Sequence, residues 1–351
     1  MKICFILPGY PRRPIGGYKV VFEYANELVD HGYDVSILFQ NNEALDGYPF
    51  PEFVKLQFIR LFTKIEPRWF NLDKRIKKLS FRNKNCTSEI KETDIAIATA
   101  LSTVEFTKNM FSNSKLCYLI QGFENWNGVS NEEVYRTYNM GFKKIVVSKS
   151  LQKIVEAHSL TPSTYVPNPL DINVYNVKIP IDKRNPYLIG MLYHENPMKG
   201  SRYALAAVKR VKRIFPKIHL IMFGTAKIPE NLPNWIEYHQ NASQSETIEI
   251  YNEISIFVNA TIFEGFGLTG LEAMACGSAL VSTDYPAVHE YATEENAMLS
   301  PVKNVDSLSK NIEILIKNSK KRIKIAKNGQ KMAQNYSIDK AYARFEKAIL
   351  S

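Results

Sequence analysis

Short apolar runs, many of them β-branched or aromatic, alternate along this chain with stretches of helical period. "KICFILP" (2–8), "YDVSILF" (33–39), "VKLQFIRL" (54–61), "DIAIATA" (94–100), "KLCYLIQ" (115–121) and "KKIVVS" (143–148) read as strands. Near-continuous apolar runs suit strands covered on both faces of a parallel sheet. Helical segments fall between them, the first from about Gly17 to His31, as βαβ crossovers require. Over 163–186 the rhythm stops; four prolines and no helical period predict a linker there. A second series follows: strands at 187–192, 218–224, 235–240, 255–260 and 278–283, and helices at about 200–215 and 244–253. Ser243 and Glu246 have capping-box spacing at the start of the latter helix. Helical segments near 304–317, 319–335 and 338–350 end the chain.

The expected fold is α/β, with two doubly wound Rossmann-like domains facing across a cleft. Residues 1–168 form the first domain, 169–186 the linker and 187–336 the second domain. A final helix, 337–351, is expected to pack back on the first domain. In open α/β sheets ligands bind beyond the carboxyl ends of the strands, so two such sheets are expected to share one site.

Composition narrows the class. At 351 residues and 45% hydrophobic, the chain can build two ordinary cores. Met1-Lys2 leads straight into an apolar run too short for a signal peptide, so none is expected. No apolar stretch reaches the ~20 residues of a spanning helix. Four cysteines (Cys4, Cys86, Cys117 and Cys276) contain no Cys-x-x-Cys pair and read as reduced thiols of a cytoplasmic protein. The net charge of +10 is concentrated: between Lys55 and Lys84, ten basic residues face only Glu66 and Asp73.

"FEGFGLTGLEAMACG" (263–277) places Glu264 and Glu272 eight positions apart around a glycine turn. The turn joins a buried strand to an apolar helix, so its amides sit at a helix N-terminus, a natural anion site for a diphosphate. Glu272, a turn into the helix, can accept hydrogen bonds from the vicinal hydroxyls of a ribose. Glu264, ahead of the helix, can accept them from a second hydroxylated ring. Ionised carboxylates are acceptors only and select hydroxyl groups. A diphosphate between two hydroxylated rings describes a nucleotide sugar. The plainer alternative is a solvated loop acid and a helix surface charge.

The Glu-x7-Glu spacing within "EGFGLTGLEAMACG" resembles the signature of retaining glycosyltransferases of family 4, which have the GT-B fold. "GGYKVVFEYANELVDHGYDVSIL" (16–38) is similar to that family's first loop and helix. "VPNPLD" (166–171) resembles its interdomain stretch through Asn168 and Asp171, and "MKGSRYALAAVKRV" (198–211) its Lys-Gly helix start. The resemblance implies that Glu264 holds the donor sugar, Glu272 the ribose, and the amides of Gly265, Phe266, Gly267 and Leu268 the sugar or phosphates. It also implies that Lys199 neutralises the departing diphosphate, while Gly16 and Gly17 allow close backbone approach. Attack on the same face of the sugar, with the departing phosphate taking the acceptor proton, needs neither metal nor cofactor. No Asp-x-Asp and no His cluster of ligand spacing is present.

Two positions depart from the pattern. Met191 stands where many relatives carry an Arg, with His194 or Arg202 as candidate substitutes. Gln121 stands where many carry a His; it can position a hydroxyl but takes no proton at neutral pH. Glu124 and Trp126 are candidates for the acceptor side. The basic segment mixes cations, among them Lys74, Arg75, Lys77 and Lys78, with Trp69 and several Phe. It suits an anionic membrane surface, or else a solvated basic face over core aromatics. No nucleic-acid reader motif accompanies it.

The expected function is transfer of a sugar from a nucleoside diphosphate to a glycan, on a lipid carrier, in bacterial surface polysaccharide synthesis. The protein would be cytoplasmic and peripheral on the inner face of the membrane. The alternatives are a non-catalytic nucleotide-sugar-binding partner and a sugar-nucleotide epimerase.

Overall fold

The computed structural model describes residues 1–41, 44–82, 92–126, 128–228 and 231–351. Cys86 and Lys84 lie outside them. The chain forms two compact units, Met1–Pro167 with Ala341–Ser351, and Asn168–Lys340.

The first unit is a seven-stranded parallel sheet of order β3-β2-β1-β4-β5-β6-β7. Its strands are β1 (Lys2–Leu7), β2 (Asp34–Gln40), β3 (Lys77–Phe81), β4 (Ile95–Ala98), β5 (Lys115–Ile120), β6 (Lys143–Val146) and β7 (Ser163–Tyr165). Helices α1 (Gly16–Asp30), α2 (Glu52–Ile65), α3 (Leu101–Met110), α4 (Asn131–Tyr138) and α5 (Lys149–Ala157) connect them. The five inner residues of β1 are all buried, as a central strand covered on both faces requires.

Residues 54–61, expected as a strand, lie instead within the helix α2. Their alternation imitates period 2, but Val54, Phe58, Leu61 and Ile65 also fall at helical intervals. The strand pairing with β2 is β3, with Ser36 opposite Lys77. Its two lysines hide it from a hydrophobicity reading, and an edge strand tolerates them. β7 also went unread in the sequence, being three residues long.

The closing helix, of which Ala341–Ser351 belongs to the first unit, packs through Phe345. That ring stacks on Tyr24 at 4.0 Å and lies 6.1 Å from Phe5. Full burial of one such ring contributes roughly 1.5–3 kcal/mol. Tyr33 and Tyr342 both donate to Glu346 Oε1, at 3.0 and 2.8 Å.

The second unit is a six-stranded parallel sheet of order β10-β9-β8-β11-β12-β13. Its strands are β8 (Leu188–Leu192), β9 (His219–Gly224), β10 (Ile236–Gln240), β11 (Ile256–Asn259), β12 (Ala279–Thr283) and β13 (Ala297–Ser300). Its helices are α6 (Ser201–Ile214), α7 (Gln244–Glu253), α8 (Leu268–Ala275), α9 (Val305–Lys317) and α10 (Ser319–Ala333); α11 (Ile338–Leu350) follows. α7 carries the reciprocal Ser243–Glu246 capping box.

The segment read as a linker is built into this unit. Arg184, 5% exposed, donates to the carbonyls of Ile179, Tyr251, Ile254 and Cys276, the last at 2.6 Å. One guanidinium thus ties the end of α7 to the end of α8. Its cost is desolvation, which lowers its pKa to about 10.

Candidate functional site

In the second sheet, β8 lies between β9 and β11, so the chain winds outward in one direction and then crosses to the other side. That reversal leaves a crevice beyond the carboxyl ends of β8 and β11, the usual ligand position in such sheets. Residues 193–200 follow β8 and residues 260–267 follow β11. The two loops are bonded to each other, with the Ile262 amide donating to the Met198 carbonyl at 2.8 Å.

This brings Lys199 to Glu264, Nζ to Oε2, at 2.6 Å. The Lys199 side chain is 32% exposed and that of Glu264 13%, so the pair is open on the lysine side. Gly200, at φ 65°, makes the approach possible: a Cβ there would sit 1.8 Å from the Ala260 carbonyl oxygen.

His194 is an exposed neighbour of the pair. Desolvation first, then the Lys199 charge, lowers its pKa, so it is neutral at pH 7. Its Nδ1 accepts the Asn196 amide at 2.9 Å, which leaves the ring proton on Nε2. It therefore offers a donor without adding charge. Met191 is fully buried in the core of the unit.

The glycine turn owes its shape to two tyrosines that the sequence reading passed over. Tyr291 donates to the Gly267 carbonyl at 2.8 Å, and its hydroxyl lies 3.0 Å from that of Tyr285. Gly267 adopts φ 104°, and a Cβ on it would meet the Tyr285 hydroxyl at 2.1 Å. Gly270 lies against Tyr291 in the same way. Burial holds both phenols well above their usual pKa, and the Glu264 carboxylate adds to the effect. Phe266 packs on Tyr291 and Tyr336, so it presents only its backbone. Gly265 and Leu268 are half-buried. Among the described residues, the amides of Leu268 and Thr269 at the start of α8 find no acceptor, as expected of a first helical turn.

Glu272 is 7% exposed on α8 and accepts the Tyr251 hydroxyl at 3.1 Å. It is a buried, oriented acceptor rather than a solvated surface charge. Tyr251 is itself buried, and burial, with Glu272 second, raises its pKa strongly.

The first unit holds a separate group of candidates. Gly16 and Gly17 open α1 after β1, and Gln121 follows β5. Gln121 Nε2 donates to the Gly17 carbonyl at 3.1 Å, and a Cβ on Gly17 would press on that amide. Gln121 Oε1 is buried and finds no partner among the described residues. Glu124 accepts the Leu101 amide, at the start of α3, at 3.0 Å. Burial pushes its pKa up to about 7 against that hydrogen bond. Trp126 is half exposed, its ring edge 3.6 Å from where a Cβ on Gly122 would lie.

Most of the basic segment is engaged within its own unit. Trp69 donates to the Pro11 carbonyl and packs on Phe22 and Phe70. Arg75 pairs with Asp30 and Asp73, and Lys77 with Asp34. Lys78 donates to the carbonyls of Lys64 and Glu66. Lys74 is exposed.

Residues 176–332 match the family model described as Glycosyl transferases group 1. That match, to a little under half of the chain, shows what the second unit is similar to. The fold is GT-B, and two solved structures share it. HepE of Anabaena, solved with UDP and glucose, superposes with TM-score 0.76 at 16% identity, over 99% of this chain and 98% of that one. TarM of S. aureus, solved with fondaparinux, α-GlcNAc-glycerol and UDP, gives TM-score 0.76 at 12% identity over 100% of both chains. A 59-residue stretch is 37% identical to the serotype-specific mannosyltransferase WbdA of Escherichia coli. It spans 17% of this chain and only 7% of that relative.

Proposed function

We propose that the protein is a retaining glycosyltransferase of the family-4 kind. It moves a sugar from a nucleoside diphosphate to a glycan acceptor on a lipid carrier, in the making of a surface polysaccharide. One observation carries this reading: the Lys199–Glu264 pair stands beside the unpaired amides of α8, with Glu272 buried one turn further in. A cation and amides suit a diphosphate, and the two carboxylates suit the hydroxylated rings on either side of it. The nucleotide-bound structural neighbours and the mannosyltransferase relative support a nucleotide-sugar donor.

Breaking the bond between the sugar's anomeric carbon and the phosphate oxygen leaves negative charge on the diphosphate and positive charge on the ring. Lys199 and the amides of Leu268 and Thr269 stabilise the first as it develops. Glu264 orients the ring through its hydroxyls. The acceptor hydroxyl attacks on the face the diphosphate leaves, and its proton passes to a departing phosphate oxygen, so configuration is retained. No metal is required. Neutral His194 donates from Nε2 to a donor oxygen. Gln121, Glu124 and Trp126 serve the acceptor.

A specific observation favours a second reading, a non-catalytic donor-binding partner. Met191 is a core residue, so the place of a second phosphate-binding cation is taken by apolar packing.

One set of measurements decides. UDP-, GDP-, dTDP- and ADP-sugars are screened by thermal shift, since ligand binding raises the melting temperature by mass action. Release of nucleoside diphosphate is then followed with acceptor and excess chelator. Expected are turnover despite chelator, an α-linked product from an α-linked donor, and loss of kcat on the order of 100-fold in Lys199→Ala. Undiminished transfer by Glu264→Ala/Glu272→Ala would sink the proposal. Tight binding with no turnover would select the partner, and sugar inversion on the nucleotide the epimerase.

A further inference from the structure

The helix α2 is apolar on the side turned away from its own unit. It meets that unit through Ile59 and Thr63, its two buried residues. At 3.6 residues per turn, Val54, Phe58, Leu61 and Ile65 form a row on the opposite side. Leu61 is 52% exposed, Phe58 40% and Ile65 39%; Phe53, 70% exposed in the first turn, projects toward the flank that carries Arg60 and Lys64. Exposed Tyr48 and Phe50 prolong the patch: ring centroids step from Tyr48 to Phe50 to Phe58, 6.0 Å each. Singly scattered apolar side chains need no explanation, whereas a contiguous patch marks an interaction surface.

Charge says what covers it. Arg60 and Lys64 are exposed along one flank of the row, and the Arg12 guanidinium lies 5.1 Å from the Phe62 ring centroid. The nearby acids among the described residues are engaged. Asp46 and Glu52 pair with buried Arg82, and Glu66 accepts the Arg68 amide at 3.1 Å and pairs with its guanidinium at 3.7 Å, which leaves Arg60 and Lys64 as the cations of the rim. The result is an apolar face with a cationic rim. A second copy of the chain docked through the same face would set those cations against each other. A surface that presents anions above hydrocarbon meets both demands. Helices of this build lie in the interfacial plane of membranes, their apolar side among the upper acyl chains.

We propose that α2 is a membrane-docking helix for anionic bilayers. Phe58, Leu61 and Ile65 enter below the headgroups, and Arg60 and Lys64 bind lipid phosphates. The contact thereby moves from Trp69, Arg75, Lys77 and Lys78, which are engaged inside the unit, to the helix just before them. Its use, bringing the enzyme to a lipid-carried acceptor, rests on the proposed glycosyltransferase function; the binding itself does not.

Co-sedimentation with vesicles tests it. The full chain is expected to bind phosphatidylcholine–phosphatidylglycerol vesicles, to leave phosphatidylcholine vesicles largely unbound, and to weaken as salt rises. Leu61→Glu/Ile65→Glu should lower the partition coefficient at least ~10-fold. Arg60→Gln/Lys64→Gln should lower it roughly 5-fold per charge. Neither pair should shift the melting temperature, because the replaced side chains are exposed. Equal binding to neutral vesicles would overturn the proposal. So would vesicle binding retained by Leu61→Glu/Ile65→Glu, or a wild-type dimer that those substitutions disperse. Turnover on a water-soluble acceptor is read in parallel. Its absence in the wild type counts against the transferase reading, while sedimentation alone judges α2.

Discussion

Replacing Gly267 by alanine asks why that glycine is there. Near a diphosphate, a glycine is easily credited to close approach of ligand and backbone. The geometry credits it first to the protein. At φ 104° an L-residue is strained by about 1–2 kcal/mol. The added methyl would also lie 2.1 Å from the Tyr285 hydroxyl and 2.5 Å from that of Tyr291, well inside contact distance. Such overpacking costs about 1–3 kcal/mol. Together the two effects give a loss of ~2–5 kcal/mol in the second unit without any ligand. At roughly 2–4 °C per kcal/mol for a domain of this size, the melting temperature should fall on the order of 10 °C. The assay is thermal unfolding of the ligand-free protein by circular dichroism, with a cycle adding Tyr285→Phe/Tyr291→Phe. Removing both hydroxyls relieves the clash but not the strained φ. The triple variant should therefore be more stable than additivity predicts, by about 1–3 kcal/mol. A Gly267→Ala protein melting within about 2 °C of wild type, or strict additivity, would refute the reasoning.

Glu124, with its pKa raised to about 7 by burial, binds more protons folded than unfolded between its ordinary value and 7. Its contribution is therefore present at low pH and lost as pH rises through about 7. Glu124→Gln should stabilise the protein at pH 8 but not at pH 5, in urea melts at the two pH values; equal effects at both would contradict the assignment. Tyr251→Phe removes a buried hydrogen bond to Glu272. It should raise the donor KM by about 10–150-fold, with kcat changed less, since hydrogen bonds to charged groups contribute about 1.5–3 kcal/mol. An unchanged KM in steady-state kinetics would remove Tyr251 from the site.

Much of the fold was legible because a parallel α/β sheet writes itself as local runs. The central strands β1, β4, β5, β8, β11 and β12 are covered on both faces and read as continuous apolar stretches. The edges did not read so well. β3 carries two lysines because an edge needs no second apolar neighbour, and α2 passed for a strand because its outward side is as apolar as its inward side. Of the candidate site, Glu264 and Glu272 were legible in one local motif and Lys199 in a second, at 198–211. Tyr251, Tyr285 and Tyr291 were not, because an isolated tyrosine in an apolar run looks like any other core residue.

The amino-acid order by itself determined the alternation of strands and helices, the α7 capping box and the glycine turn at 264–267. Each depends on residues within a few positions of one another, where backbone geometry alone sets who is neighbour to whom. Tertiary structure decided everything that joins distant segments. Lys199 reaches Glu264 because β8 and β11 are neighbours at the reversal of strand order, a pairing no local period encodes. The helical period of α2 says which side chains share a face. Only packing against the sheet decides that Ile59 and Thr63 turn inward and the Phe58–Leu61–Ile65 row turns out.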